Sequence, residues 1–265
     1  MQNDSNIFEI EKRLNEIQNE RNLLLNEASH IKGEYLSTYQ IRPTGRHLLT
    51  IGEDLIQDQY AALVELVKNC YDADSDYAKI IFKKKVDEDC LEISIKDNGH
   101  GMSPEDVINK WLVPSTTDKL KKKISLKGRT MQGRKGIGRY AASILGDDLK
   151  LETIDQEGNE TVIYLKWNEL MQYEYLDQIN IPMITKKAKD KSGTKIIICS
   201  KLSENNYWDE EAFKKLRYEL KKLIPPVTYE SNNDKFQIEL QFVDFYEIAE
   251  LNVQETIEPY PILEL

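Results

Sequence analysis

Three polar residues, Glu65, Asn69 and Asp72, recur at steps of four and three inside the amphipathic stretch ALVELVKNCYDADS, residues 61–74. On an α-helix that spacing brings all three to one face, projecting the same way. A carboxylate there can accept a proton from water. An Asn side-chain oxygen is a neutral ligand that a hard cation such as Mg2+ accepts beside phosphate oxygens. A base and a metal ligand would then share one stretch of helix. The same residues, taken alone, also fit the solvated face of an ordinary helix.

A second group stands in ISIKDNGHGMSPED, where alternating β-type sequence runs into Asp97, then Gly99 and Gly101 around His100, then Met102. Asp97 at a strand end can accept a hydrogen bond from an amino group, and glycines let a ligand come close to the backbone. DNG is equally good sequence for a plain hairpin turn. His100 is read as an exposed side chain without a metal partner. In QGRKGIGRYAASILG, Gly133, Gly136 and Gly138 precede an apolar helical run. Backbone N–H groups at such a helix start cradle phosphate, helped by the helix dipole. No GK[ST] follows, so this is not a Walker loop, and the absence of a βαβ unit with a downstream ribose acid speaks against a dinucleotide fold. KSGTKIIICS sets Gly193 and Thr194 at the entrance of an apolar strand, which by itself is a turn.

The elements that must carry these groups follow from periodicity. A helix is expected over 58–72, strands near 78–86 and 91–97, and a glycine- and lysine-rich loop region to 135. A helix from about 137 and strands at 148–154, 160–166 and 193–200 come next. YWDEEAFKKLRYELKKLI reads as a further amphipathic helix stopped by Pro225 and Pro226, and FQIELQFVDF as a strand. Before all of these, Ile7, Ile10, Leu14, Ile17, Leu24, Ala28 and Ile31 form a heptad seam interrupted by Arg21. The seam fits either a helix lying on its own domain or a coiled coil with a second copy. Pro43 and Gly45 end it. The expected organisation is a heptad helix at 1–38, an α/β domain carrying these motifs at 39–205, and a helix with strands at 206–265.

With 265 residues, 40% of them apolar, the chain can bury one large or two small cores. A net charge of −10 argues against nucleic acid or an anionic membrane as partner of the whole surface, while leaving room for a local basic patch. Cys70, Cys90 and Cys199 form no CxxC and have no nearby His pair, and read as reduced thiols of a cytoplasmic protein. No apolar run approaches the roughly 20 residues of a membrane span. MQNDSNIF lacks the regions of a signal peptide. The apolar ending PILEL is read as the mark of a piece of something longer.

Taken in order, ELVKNCYDA, DNGHGM, GRKGIGRYA and GT resemble the four motifs of the GHKL ATPase superfamily, that of gyrase B, the ninety-kilodalton heat-shock chaperones, histidine kinases and MutL. The resemblance spans about residues 45–200. It implies an α+β, two-layer sandwich of the Bergerat type, with helices on one face of a mixed, mostly antiparallel sheet. ATP and Mg2+ are the implied ligands. Glu65 would be the general base, Asn69 the Mg2+ ligand, and Asp72 a brace for the pocket. Asp97 would accept the adenine amino group with Thr194 assisting, Gly99 and Gly101 giving the base room and Met102 packing on the ring. Gly136, Ile137, Gly138 and Arg139 would face phosphates, together with Lys119, Arg134 and Lys135. The lysine-rich segment NKWLVPSTTDKLKKKISLKGRT would be the lid.

Hydrolases of the superfamily need a base at the position of Glu65, whereas its kinases do not, so the resemblance implies slow ATP hydrolysis with lid closure and dimerisation. The dimer contact is expected through the N-terminal helix or an ATP-closed interface. GRHLLTIGEDLIQDQYAALVELVKNCYDADS looks most like bacterial MORC-like and chaperone-like ATPases, some of which accompany antiviral or DNA-processing genes. The strands after 230 are read as the start of a transducer-like domain, with a further domain or operon partner beyond it. The alternatives are phosphotransfer to His30, as in a sensor kinase, and a scaffold that holds nucleotide without turnover. The surroundings of His30, ASHIKGEY, lack the acidic residue and downstream Pro of the kinase motif.

Overall fold

The structure, a computed structural model, describes residues 13, 16–24, 42–47, 50, 58–113, 123–132, 138–203, 207–224, 236–246, 251 and 253–258. The chain divides into two units, Met1–Arg42 and Pro43–Leu265. In the first, Arg13 and residues 16–24 are helical and exposed, with Arg13 and Glu16 paired at 3.0 Å. Ile17 and Leu24 of the heptad seam are exposed there. The rest of the seam and His30 lie outside the described residues.

The second unit is built on one eight-stranded sheet of order β5-β4-β3-β6-β2-β1-β7-β8. Its strands are β1 (Tyr77–Lys85), β2 (Cys90–Asp97), β3 (Asp148–Ile154), β4 (Asn159–Lys166), β5 (Met183–Lys187), β6 (Gly193–Lys201), β7 (Gln237–Val243) and β8 (Gln254–Thr256). Every neighbouring pair is antiparallel except β1 and β7, which run parallel. A parallel neighbour needs a crossover, and of the helices α1 (Gln59–Asp72), α2 (Pro104–Asp106), α3 (Ala142–Leu145), α4 (Trp167–Leu170) and α5 (Glu210–Lys221), α5 lies between β6 and β7. The sheet is therefore mixed and mostly antiparallel, as the resemblance to the GHKL superfamily implies.

Side-chain parity sets which face holds the core. Ala78, Ile80 and Phe82 of β1, Leu91, Ile93 and Ile95 of β2, and Ile238, Leu240 and Phe242 of β7 alternate inward and are buried. The helix α1 (Gln59–Asp72) covers them with Leu63, Leu66 and Val67, all nearly inaccessible. Asp58 caps its start, accepting from the Ala61 amide at 2.9 Å. Helix α5 adds Phe213, which packs edge-on to Phe82 and Phe242 and flat on Trp208. Burying a side chain of that size stabilises by about 1.5–3 kcal/mol.

Four observations correct the sequence-based expectations. The helix expected from about 137 is a 3-10 turn, Gly138–Ala141, followed by the short α3 (Ala142–Leu145), which ends at Gly146. The edge strands β5 and β8 were not foreseen. Cys90 and Cys199, expected as thiols, are joined by a disulfide between β2 and β6, leaving Cys70 as the buried free thiol. They are 109 residues apart, and sheet register brings them together: Glu92 pairs with Cys199 and Cys90 with Lys201. His100 is half-buried rather than exposed. Among the described residues no helix is long and apolar enough to cross a membrane.

Candidate functional site

The two periodicities converge at one end of the sheet. On α1 the buried stripe is Leu63, Leu66, Val67 and Cys70, and the polar set Glu65, Asn69 and Asp72 lies beside it. Glu65 is half-exposed, with its carboxylate 2.6 Å from Lys68 Nζ. Asn69 is half-buried, and its main-chain carbonyl accepts the Ala73 amide at 3.0 Å. Asp72 is buried, and its Oδ1 accepts the Gln132 amide at 2.7 Å, so it braces the chain just ahead of the glycine-rich stretch of the sequence.

On β2, Asp97 follows Ile93 and Ile95 in parity and so points at the helix layer rather than at solvent. Its Oδ1 accepts the Gly99 amide at 2.8 Å and the Thr194 amide at 3.2 Å, and the Cys70 thiol lies against the same carboxylate. Burial pushes the Asp97 carboxyl up to about 6, opposed by those hydrogen bonds and by His100. Burial, then the Asp97 charge, raises the Cys70 thiol well above its ordinary value. The DNG segment is thus no hairpin turn: it leaves the sheet and runs along the end of α1, where the His100 amide donates to Ala73 O at 3.0 Å. His100 Nδ1 lies 2.8 Å from Gly101 O, which requires the tautomer with hydrogen on Nδ1.

Two glycines are fixed by close approach. A Cβ on Gly99 would stand 2.4 Å from Ala73 O. Gly101 has φ +65°, and a Cβ there would stand 1.8 Å from Ile154 O. At both positions the backbone is held against its neighbours with no room for a side chain.

Thr194 is half-buried at the start of β6 and is paired with Thr153 on β3. Thr153 is fully buried, accepts the Met102 amide at 2.9 Å and sits 3.0 Å from Thr194 Oγ1. It completes the row Asp97, Thr194, Thr153, and the sequence motifs do not contain it. Inward parity with Leu149 and Leu151 was the available signal, but only register reveals the neighbour. The turn Gly138–Ala141, which starts with Gly138 and Arg139, packs against α1. The structure therefore gathers Glu65, Asn69, Asp72, Asp97, Gly99, Gly101, Met102 and Thr194 around α1 and the adjoining strand ends. Lys119, Arg134, Lys135, Gly136 and Ile137 lie outside the described residues.

Comparison with known proteins gives two findings. The sequence profile of the family described as histidine kinase-, DNA gyrase B-, and HSP90-like ATPase matches residues 58–194, more than half of the chain. The mouse protein MORC family CW-type zinc finger protein 3 is 27% identical over 125 residues. That match covers 47% of this chain and 12% of the mouse protein, so the chain corresponds to a small part of that relative.

Proposed function

Because the chain belongs to the family of histidine kinase-, DNA gyrase B- and HSP90-like ATPases, we propose that it binds ATP with Mg2+ and hydrolyses it slowly. Bound nucleotide closes the lid segment over the site about its anchored C-terminal end, which includes Lys127 and Arg129, and brings two copies of the chain together. The observation that carries this reading is Asp97, a buried carboxylate with one oxygen fixed by the Gly99 and Thr194 amides. That geometry suits the exocyclic amino group of adenine. Guanine would present a carbonyl there, and a buried mismatch of this kind costs about 1–3 kcal/mol, or roughly ten- to a hundredfold in affinity. Calorimetry should give ATP the tighter binding, with Asp97→Ala abolishing the preference. Equal binding of ATP and GTP, or unchanged ATP binding in that variant, removes the assignment.

Asn69 is the residue that would hold Mg2+, an ion that supplies charge compensation beside the phosphates when bound. Among the described residues there is no cluster of three or more His, Cys, Asp or Glu side chains able to bind a metal. One Asn oxygen suits an ion that keeps phosphate and water oxygens for its other positions. Glu65 is the base for the attacking water; its carboxylate is held by Lys68 and must exchange that partner for the water. Gly136, Ile137, Gly138 and Arg139 would bind phosphate, with Lys119, Arg134 and Lys135 adding charge. The likeness to the mouse MORC family protein supports reading this chain as the ATPase module of a larger MORC-like or chaperone-like protein. Antiviral defence or DNA processing is the downstream role that fits such a module.

A further inference from the structure

We infer that Arg129 is a positioning residue for this site, an inference that rests on the nucleotide-binding reading. From the loop ahead of the phosphate segment, Arg129 locks the C-terminal end of α1 against the loop that carries Asp97 and Gly99.

Arg129 is 7% exposed. Its Nη1 donates to the carbonyl oxygens of Tyr71 at 3.3 Å and Ser75 at 2.5 Å, and its guanidinium lies over the Tyr71 ring at 4.7 Å and the Phe236 ring at 5.7 Å. A tight loop presents it: Ser125 and Arg129 exchange two hydrogen bonds, and Ile124 bridges to Thr130. On either side of it, the Lys127 amide donates to Asp74, Lys127 Nζ pairs with Asp76, and the Gln132 amide donates to Asp72. One short segment thus grips residues 71–76 at several points.

Helix α1 needs such a grip. Its last turn carries no basic residue and its C-cap is Ala73, so neither a cation nor a glycine of its own finishes the negative pole. Arg129 brings the positive charge from 58 residues along the chain. The gripped turn is also what the adenine loop leans on. Ser75 Oγ accepts the Asn98 amide at 3.0 Å, the His100 amide donates to Ala73 O, and Gly99 touches Ala73. Arg129 therefore fixes the distance between the Asn69 end of α1 and Asp97 without reaching the ligand. A lysine cannot replace it, because an ammonium neither stacks flat on the rings nor presents a rigid fork of donors.

The test uses the whole chain carrying Arg129→Lys or Arg129→Gln. Calorimetry with ATP reads dissociation constant and stoichiometry separately, and hydrogen exchange reads the His100 amide. The expected result is wild-type stoichiometry, a dissociation constant raised about tenfold, and faster exchange at His100. A role confined to overall stability would lower the binding-competent fraction and leave its dissociation constant unchanged. That outcome overturns the inference. If the wild type binds no ATP, the nucleotide reading fails instead, and exchange decides the positioning role: acceleration at His100 upholds it, an unchanged rate rejects it.

Discussion

At the end of β2, burial holds the Asp97 carboxyl up to about 6, while an amino group donating to it favours the ionised form. Adenine binding should therefore release protons between about pH 5 and 7, and affinity should fall as pH drops through that window, by about three- to tenfold at pH 5. The folded protein responds in the other direction. A raised carboxyl contributes stability that is fully present below the unfolded value of 3.8 and lost as pH rises through about 6. Acid weakening of binding is thus not unfolding at this residue. Calorimetry in buffers of different ionisation enthalpy checks the proton release, and Asp97→Asn should flatten the profile. Glu65 and Asn69 should fail differently. Glu65→Ala removes the base but no adenine contact, so ATP should still bind while single-turnover hydrolysis falls by about 10²–10⁴. Asn69→Ala should also weaken binding when Mg2+ is present. Hydrolysis in Glu65→Ala at the wild-type rate would place the base elsewhere.

Within the sheet, two neighbouring threonines of one cross-strand row have opposite duties. Thr153 and Thr161 face each other on β3 and β4, and both are fully buried. Thr153 Oγ1 serves the Met102 amide and the Thr194 hydroxyl, whereas Thr161 Oγ1 has no hydrogen-bond partner. Valine copies the shape of threonine without the hydroxyl. Thr153→Val leaves buried polar partners unmatched and should cost about 1–3 kcal/mol, with weaker ATP binding because Met102 and Thr194 lose their guide. Thr161→Val should be neutral or stabilising, since the buried hydroxyl there gains nothing in return for its desolvation. Denaturant unfolding of the two variants separates these outcomes, and equal losses would show that the row does not organise the pocket. On the other side of the molecule, Phe213→Ala should cost about 3–5 kcal/mol, because α5 is joined to the sheet through that ring.

For the whole molecule the question is what covers the apolar seam of the first unit, where Ile17 and Leu24 are exposed. A heptad seam is stable when a second helix packs on it. Deleting residues 1–38 should leave ATP binding intact and lower the solution mass from dimer to monomer, as light scattering can measure. A monomer both before and after deletion would assign the seam to the chain's own domain. A chain with net charge −10 also carries self-repulsion that salt screens, so any dimer should tighten as ionic strength rises.

What the sequence determined about this protein is what short-range periodicity encodes. The 3.6-residue repeat of α1 placed Glu65, Asn69 and Asp72 on one face, and the two-residue repeat of β2 aimed Asp97 inward, because both patterns depend only on neighbours within a turn or a pleat. The glycines of DNGHG marked a close approach for the same local reason. Tertiary structure alone decided the rest. Thr153 joins the site through the register of β3 on β6, Cys90 meets Cys199 through that of β2 on β6, and Arg129 reaches Tyr71 from a separate loop. The strands β5 and β8 are five and three residues long, too short for alternation to stand out, and exist as strands because β4 and β7 offer them free edges. The helix expected from about 137 stops at Leu145, where Gly146 is extended and packs against the Cys199 carbonyl. Pairing, register and close approach are relations between distant residues, and no local repeat records them.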